Sequence, residues 1–177
     1  MKPLLVLDLD YTLVFSEIIE IEGKAPDFIL DFGQEGTIYT YVRPYLKDLF
    51  EYAFEHFNVA VWTSASKDYA EQVLQKLGIL DKLYFVWYRD TIDSSFTTPV
   101  IKDLNKVSKA YAVPMCSILI VDDDISSACR NHDNLVRINP YHGRKQDNEL
   151  LRLVGYLQVI KDEPDFRTAY KNVLTVD

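Results

Sequence analysis

The feature that most constrains the fold of this chain is an apolar run that begins almost at the N-terminus. It extends from Pro3 to Leu9, and only Asp8 interrupts it. Continuous apolar runs of this length are typical of strands that are buried on both faces of a parallel sheet. Further short apolar runs recur along the chain, and segments with helical spacing of apolar residues separate them. This alternation predicts an α/β fold with a Rossmann-like, open, mostly parallel sheet flanked by helices.

The same reasoning predicts the remaining elements of the central domain. Further strands are predicted at Val59–Trp62, Leu83–Trp87, Ser117–Val121 and Asn134–Ile138. Helices are predicted from Pro44, after Trp62 as far as Gly78, from the N-cap Asp103, from Asp124 to about Arg130, and over the apolar residues Leu150, Leu151, Val154, Leu157 and Val159.

A β-hairpin is predicted between the first strand and the first helix. Its two strands are Asp27–Phe32 and Thr37–Val42, and glycines lie between them. Residues 1–177 are expected to form a single domain in which this hairpin is a small insertion at about residues 24–42. The segments that separate the predicted strand ends are too short for a large cap domain.

Composition limits the expected partners and compartment. The net charge is −8, and an acidic chain lacks the basic face that broad nucleic-acid binding requires. Two cysteines, Cys116 and Cys129, form no disulfide framework, which favours an intracellular setting. No apolar stretch approaches the ~20 residues that span a bilayer. We therefore expect a soluble protein, a monomer or weak dimer, with no membrane contact.

Acidic residues follow two of the predicted strands. Asp8 and Asp10 end the first strand, and Asp122, Asp123 and Asp124 follow the fourth. The carboxyl ends of parallel strands form the ligand-binding edge of an open sheet, so these groups should meet there. Neighbouring carboxylates repel each other unless a cation or a proton intervenes, and their oxygens suit Mg²⁺. For Asp124, a helix-capping role is an equal alternative.

The order of these residues resembles the haloacid dehalogenase superfamily of phosphotransferases. Asp8-Leu9-Asp10-Tyr11-Thr12 matches its Asp-x-Asp-x-Thr motif, and Thr63, Lys102 and Asp122-Asp123 match its other three motifs. Within the superfamily, the chain resembles the small phosphatases of the RNA polymerase C-terminal-domain type, also known as NLI-interacting-factor-like. The segments that carry this likeness are Val42-Arg43-Pro44, Trp62-Thr63-Ser64-Ala65-Ser66-Lys67-Asp68-Tyr69-Ala70, Val100-Ile101-Lys102-Asp103-Leu104 and Ile120-Val121-Asp122-Asp123.

The resemblance implies a role for each matching residue. Asp8 would be the nucleophile that forms an aspartyl-phosphate, and Asp10 would be the general acid and base. Thr63 would bond a phosphoryl oxygen, and Lys102 would neutralise charge beside it. The implied ligands of Mg²⁺ are Asp8, Asp10 (through its backbone carbonyl), Asp122 and Asp123, and the implied substrate contacts are Thr12, Ser64 and Arg89. For Arg89, a local ion pair is an equal alternative.

The implied activity is Mg²⁺-dependent hydrolysis of a phosphate monoester, and the expected substrate is a phosphoserine or phosphothreonine protein. An open site without a cap can admit a phosphorylated side chain, whereas a small substrate normally needs a lid. The relatives usually have Glu at the position of Tyr11 and Asn at that of Asp123, so the substrate stays open. Phosphotyrosine, a small phosphorylated metabolite and a nucleic-acid terminus are alternative substrates, and a catalytically silent binding module is a further alternative.

Overall fold

The computed structural model of the protein describes residues 2–91 and 101–169. In chain order, the strands are β1 (Leu4–Leu7), β2 (Val14–Glu17), β3 (Phe28–Asp31), β4 (Thr37–Val42), β5 (Asn58–Trp62), β6 (Val86–Trp87), β7 (Ile118–Asp122) and β8 (Leu135–Arg137). The α-helices are α1 (Leu46–His56), α2 (Lys67–Lys76), α3 (Leu104–Tyr111) and α4 (Glu149–Ile160).

The predicted central sheet is present. It has five strands in the order β6-β5-β1-β7-β8, and each neighbouring pair is parallel. Leu5 and Leu7 of β1 belong to the larger core, which α1, α2 and α4 cover. Leu4 and Val6 point to the opposite face and belong to the smaller core under α3. Because both faces of β1 are buried, its sequence is a continuous apolar run.

A second sheet is inserted between β1 and α1 in the sequence. It is antiparallel, and its three strands have the order β2-β4-β3. Strands β3 and β4 confirm the predicted hairpin. Strand β2 was missed because it is only four residues long and ends in the polar pair Ser16 and Glu17. The inserted sheet therefore begins well before residue 24, and Ser16 pairs with Thr40 across β2 and β4.

Several predicted elements are present but shorter, and two of these differences have a local cause. Helix α1 begins at Leu46 and not at Pro44, because Tyr45 has a left-handed backbone with φ of +64°. Strand β6 covers only Val86–Trp87, because the chain before it first completes a 3₁₀ turn at Leu80–Lys82. Both differences concern element ends, where local turns compete with the regular pattern.

The predicted helix from Asp124 to about Arg130 is wrong, because the chain forms successive turns there. The carboxylate of Asp124 accepts hydrogen bonds from the backbone N–H and the hydroxyl of Ser126, and such local bonds replace helical ones. In α4, two predicted packing residues face solvent. Leu151 is 46% exposed and Val159 is 78% exposed, because they lie off the helix face that packs on the sheet.

Arg43, directly after β4, joins three parts of the fold through one buried side chain. Its Nε and Nη2 donate to the carboxylate of Asp147 at 2.8 and 2.9 Å. Its Nη1 donates to the carbonyl of Thr12 at 3.1 Å, and Nη2 donates to the carbonyl of Asn139 at 2.7 Å. The inserted sheet, the loop after β1 and the segment before α4 are therefore fixed relative to one another.

Replacing Arg43 with methionine should lower the free energy of unfolding by about 3 kcal/mol, because Asp147 would remain mostly buried without its partner. Denaturation in urea measures the change. Arg137, which is exposed on β8, is the control, and Arg137→Met should stay within about 0.5 kcal/mol of the unaltered protein. Equal losses in the two variants would contradict the role given to Arg43.

Candidate active site

Three strands end at one edge of the central sheet and bring the predicted residues together. Asp8 directly follows β1, and Asp122 is the last residue of the neighbouring strand β7. The backbone N–H of Asp8 donates to the carbonyl of Val121 at 2.9 Å, which fixes the two strand ends side by side. Thr63 directly follows β5, on the other side of β1. The parallel registers thus gather residues that are far apart in the sequence.

Lys102 is buried between two of these carboxylates. Its Nζ donates to Asp8 Oδ1 at 2.5 Å and to Asp122 Oδ2 at 2.8 Å, and the residue is 2% exposed. Its backbone N–H donates to the carbonyl of Ser127 at 2.7 Å. The Ser127 hydroxyl in turn donates to Asp122 Oδ2 at 2.7 Å. One lysine therefore connects the segment before α3 with the ends of β1 and β7.

Burial and neighbouring charges shift the ionisation of this group. Burial raises the pKa of Asp8 to about 8, while Lys102 acts to lower it and Asp122 to raise it. Burial alone would lower the pKa of Lys102, but the carboxylates of Asp8 and Asp122 outweigh it and raise that pKa to about 12. Burial also raises the pKa values of Asp10 and Asp123. The lysine stays charged, and a further cation would stabilise the ionised carboxylates.

Asp8, Asp122 and Asp123 form a group of carboxylates that could hold a metal ion. One oxygen from each lies within 4.8 Å of the others. Thr12 is fully buried, and its hydroxyl donates to Asp123 Oδ1 at 3.3 Å, which orients that carboxylate. Over residues 2–91 and 101–169, Lys102 is the one cationic side chain bonded to this group. The oxygen donors and the unbalanced negative charge fit a hard divalent cation such as Mg²⁺.

The carboxylate of Asp10 lies apart from that group. Its Oδ1 accepts a hydrogen bond from the Tyr69 hydroxyl at 2.6 Å. Asp10 and Tyr69 line a groove of about 370 Å³ between the inserted sheet and the N-terminal end of α2. A larger groove of about 590 Å³, between α1 and the C-terminal end of α2, contains none of the predicted site residues.

The predicted phosphate and substrate contacts have different surroundings. Thr63 is 1% exposed, and its Oγ1 accepts from the backbone N–H of Ala65 at 3.0 Å. Ser64 and Arg89 are exposed and line the groove beside Asp10, and Arg89 Nε donates to the Ser64 carbonyl at 2.8 Å. No ion pair involves Arg89 within the described residues. Thr12 bonds to Asp123 and does not line the groove. Its position therefore suits orienting the Asp123 carboxylate better than contacting a substrate in the groove.

Sequence reasoning missed three residues of this region. Tyr69 lies in the predicted helix after Trp62, but the helical pattern does not show that its hydroxyl bonds to both Asp10 and Ser16. Ser16 lies on the strand that was not predicted. Ser127 lies in the segment that was predicted to be a helix, and it bonds to Asp122. The sequence offered one signal for these three residues: Tyr69 lies in the segment Trp62–Ala70, which resembles the phosphatase relatives.

The parallel sheet, the acids at its carboxyl edge and the small inserted sheet define a fold of the haloacid dehalogenase class. The family model described as NLI interacting factor-like phosphatase matches residues 3–167. The chain therefore belongs to the NLI interacting factor-like phosphatase family, as its motifs suggested.

Individual relatives agree with this assignment. A protein of Dictyostelium discoideum named "Probable C-terminal domain small phosphatase" is 31% identical over 92% of this chain, which spans 52% of that protein. A protein of Invertebrate iridescent virus 3, described as CTD phosphatase-like, is 24% identical over 90% of this chain and 97% of its own length. The chain thus spans about half of the first relative and nearly all of the second.

Solved structures show the same fold. The fission yeast RNA polymerase II CTD phosphatase Fcp1, in a variant bound to beryllium fluoride, superposes with a TM-score of 0.60 at 19% identity. The superposition covers 93% of this chain and 53% of that one. Among the helices of residues 2–91 and 101–169, none combines the length and the hydrophobicity that a membrane span requires.

Removing the Asp123 carboxylate should weaken Mg²⁺ binding at least about tenfold, because one of the three grouped oxygen donors is lost. Isothermal titration of the unaltered protein and of Asp123→Ala measures the affinities. Asp124→Ala is the matched control, since the neighbouring Asp124 carboxylate bonds only to Ser126 among the described residues. Unchanged affinity in Asp123→Ala, or an equal loss in Asp124→Ala, would contradict the assignment.

Proposed function

We propose that this protein is a Mg²⁺-dependent phosphatase that hydrolyses phosphoserine or phosphothreonine in proteins through an aspartyl-phosphate on Asp8. The observation that carries the proposal is Lys102, buried between Asp8 and Asp122 beside Asp123. Charge neutralisation and alignment are the main requirements of phosphoryl transfer. The strand ends supply the alignment, and Lys102 together with a bound divalent cation would supply the positive charge. Membership of the phosphatase family supports the same chemistry.

In the first step, a carboxylate oxygen of Asp8 forms a bond to phosphorus. The bond from phosphorus to the serine or threonine oxygen breaks, and its electron pair stays on that oxygen. The Asp10 carboxyl group donates the proton that this oxygen needs, so the alcohol leaves neutral. Asp10 suits this role because it lines the groove and burial raises its pKa above the usual range.

In the second step, Asp10 is a carboxylate and accepts a proton from water. The water oxygen bonds to phosphorus as the bond between phosphorus and the Asp8 oxygen breaks. Inorganic phosphate leaves, and Asp8 regains its carboxylate while Asp10 regains its proton. Through both steps, Lys102 remains cationic and offsets the negative charge that approaches Asp8.

Asp8, Asp122 and Asp123 are the side chains that would hold Mg²⁺, together with the backbone carbonyl of Asp10. When bound, the ion supplies positive charge that stabilises the phosphoryl group in the transition state. Thr12 and Ser127 hold two of these carboxylates by hydrogen bonds, so the ligands keep their orientation.

The surroundings of Asp10 support a protein substrate. Within residues 2–91, the insertion beside the site is one small antiparallel sheet. The groove at Asp10 opens to solvent between this sheet and α2. A phosphorylated side chain on a polypeptide can enter such a groove. Arg89 and Ser64 lie along its wall, where a guanidinium can bond phosphate or an acidic neighbour. Relatives named as CTD phosphatases support the same substrate class.

Asp8→Asn should lower turnover of a phosphoserine peptide by at least about 10³-fold, because an amide cannot form the acyl-phosphate. Steady-state release of inorganic phosphate in Mg²⁺ measures this loss. The fold should survive, because the amide oxygen can still accept the bond from Lys102. Circular dichroism and the unfolding midpoint check this point.

Asp31→Asn is a control, since Asp31 is exposed on β3 and its carboxylate bonds only to the backbone N–H of Gly33 among the described residues. It should retain the activity of the unaltered protein. A folded Asp8→Asn variant that retains more than about a tenth of the activity would exclude Asp8 as the nucleophile.

A further inference from the structure

A chain of hydrogen bonds leads from the inserted sheet to the candidate general acid. The Tyr69 hydroxyl lies 2.6 Å from Asp10 Oδ1 and 2.7 Å from Ser16 Oγ. Ser16 Oγ lies 2.9 Å from the hydroxyl oxygen of Thr40, which is fully buried. Tyr69 belongs to α2, Ser16 to β2 and Thr40 to β4. Three elements therefore converge on one oxygen of one carboxyl group.

The number of protons in this chain restricts its arrangement. A tyrosine hydroxyl carries one proton, so Tyr69 can donate to only one of its two neighbours. When it donates to Asp10, the Ser16 hydroxyl can donate to the Tyr69 oxygen, and Thr40 can donate to Ser16. All three donors then point towards Asp10. Oδ1 of Asp10 is occupied in this arrangement, whereas no described group bonds to its Oδ2.

We propose that Tyr69 is a positioning residue that occupies Oδ1 of Asp10 and leaves Oδ2 as the oxygen that exchanges a proton with the substrate. The inference rests on the proposed function, because it assumes that Asp10 is the general acid. With Tyr69 bonded to Oδ1, the transferable proton is held on Oδ2, and the carboxyl plane cannot rotate freely. Ser16 and Thr40 support Tyr69 from the inserted sheet, so that sheet contributes to acid catalysis through Tyr69.

The dependence of rate on the leaving group distinguishes this role from a structural one. A serine oxygen leaves poorly and needs the proton from Asp10, whereas 4-nitrophenolate leaves well without it. Because kcat/KM reports steps up to the first phosphoryl transfer, it should be compared for a phosphoserine peptide, phenyl phosphate and 4-nitrophenyl phosphate. A positioning defect should be smallest for 4-nitrophenyl phosphate and largest for the phosphoserine peptide, which has the poorest leaving group.

Tyr69→Phe removes the hydroxyl and keeps the ring that packs against the core. Its kcat/KM should fall about tenfold or more for the phosphoserine peptide and less than about twofold for 4-nitrophenyl phosphate. Asp10→Asn should show the same trend with a larger loss on the peptide. Ser16→Ala should show it with a smaller loss. Retained activity on 4-nitrophenyl phosphate also demonstrates that Tyr69→Phe and Ser16→Ala are folded. Circular dichroism checks the fold of Asp10→Asn, because that variant also lacks the base of the second step.

Tyr88→Phe is the matched control. The Tyr88 hydroxyl also bonds to a carboxylate, that of Glu71 at 2.9 Å, but neither residue lines the groove. This variant should retain the kcat/KM of the unaltered protein for all three substrates. An equal loss on every substrate in Tyr69→Phe, or no loss on any, would overturn the positioning role.

Failure of the inference can be separated from failure of the proposed function. If Asp10→Asn shows the steep dependence on leaving group and Tyr69→Phe does not, only the role of Tyr69 is rejected. If Asp10→Asn itself lacks this dependence, Asp10 is not the general acid, and both the proton transfer and the positioning role are rejected. If Asp8→Asn stays active, the nucleophile assignment fails independently of both.

Discussion

The buried ammonium group of Lys102 is the interaction on which the rest of the site depends. A charge with 2% exposure is tolerated only where opposite charges and hydrogen bonds replace its water. Asp8 and Asp122 meet this need, and each of them lies at the end of a strand that is buried on both faces. The apolar sheet therefore fixes the positions of the carboxylates, and the carboxylates in turn fix the lysine.

The carboxylates of Asp8 and Asp10, the two acids of the first motif, are held in place by different parts of the molecule. Asp8 belongs to the central sheet through its backbone bond to Val121 and its side-chain bond to Lys102. Asp10, two residues later, is controlled by Tyr69 and, through it, by the inserted sheet. Arg43 joins the two regions, because it bonds to the loop after β1 from the end of β4. The proposed nucleophile and the proposed general acid thus lie two residues apart, and different side chains hold each of them.

The central sheet and several helices could be predicted from the sequence, because apolar runs and capping residues mark them locally. The apolar run of β1 and the capping residue Asp103 of α3 identify elements whose burial or hydrogen bonding follows from the residues themselves. Strand β2 and the bond from Tyr69 to Asp10 could not be predicted in the same way. A strand of four residues has too little periodicity, and a tyrosine on an apolar helix face does not reveal where its hydroxyl points. The turns after Asp124 were mistaken for a helix because one side chain can cap either structure.

Direct identification of the phosphorylated residue tests the central claim that Asp8 is the nucleophile in this charge arrangement. The protein would be mixed with a phosphoserine peptide and Mg²⁺, quenched in acid during the first turnover, digested and mapped by mass spectrometry. The predicted result is a phosphoryl group on Asp8, acid-stable and lost on treatment with hydroxylamine, as expected for an acyl-phosphate. A phosphoryl group on any other residue, or peptide hydrolysis in which no phosphorylated Asp8 forms at any quench time, would contradict the claim.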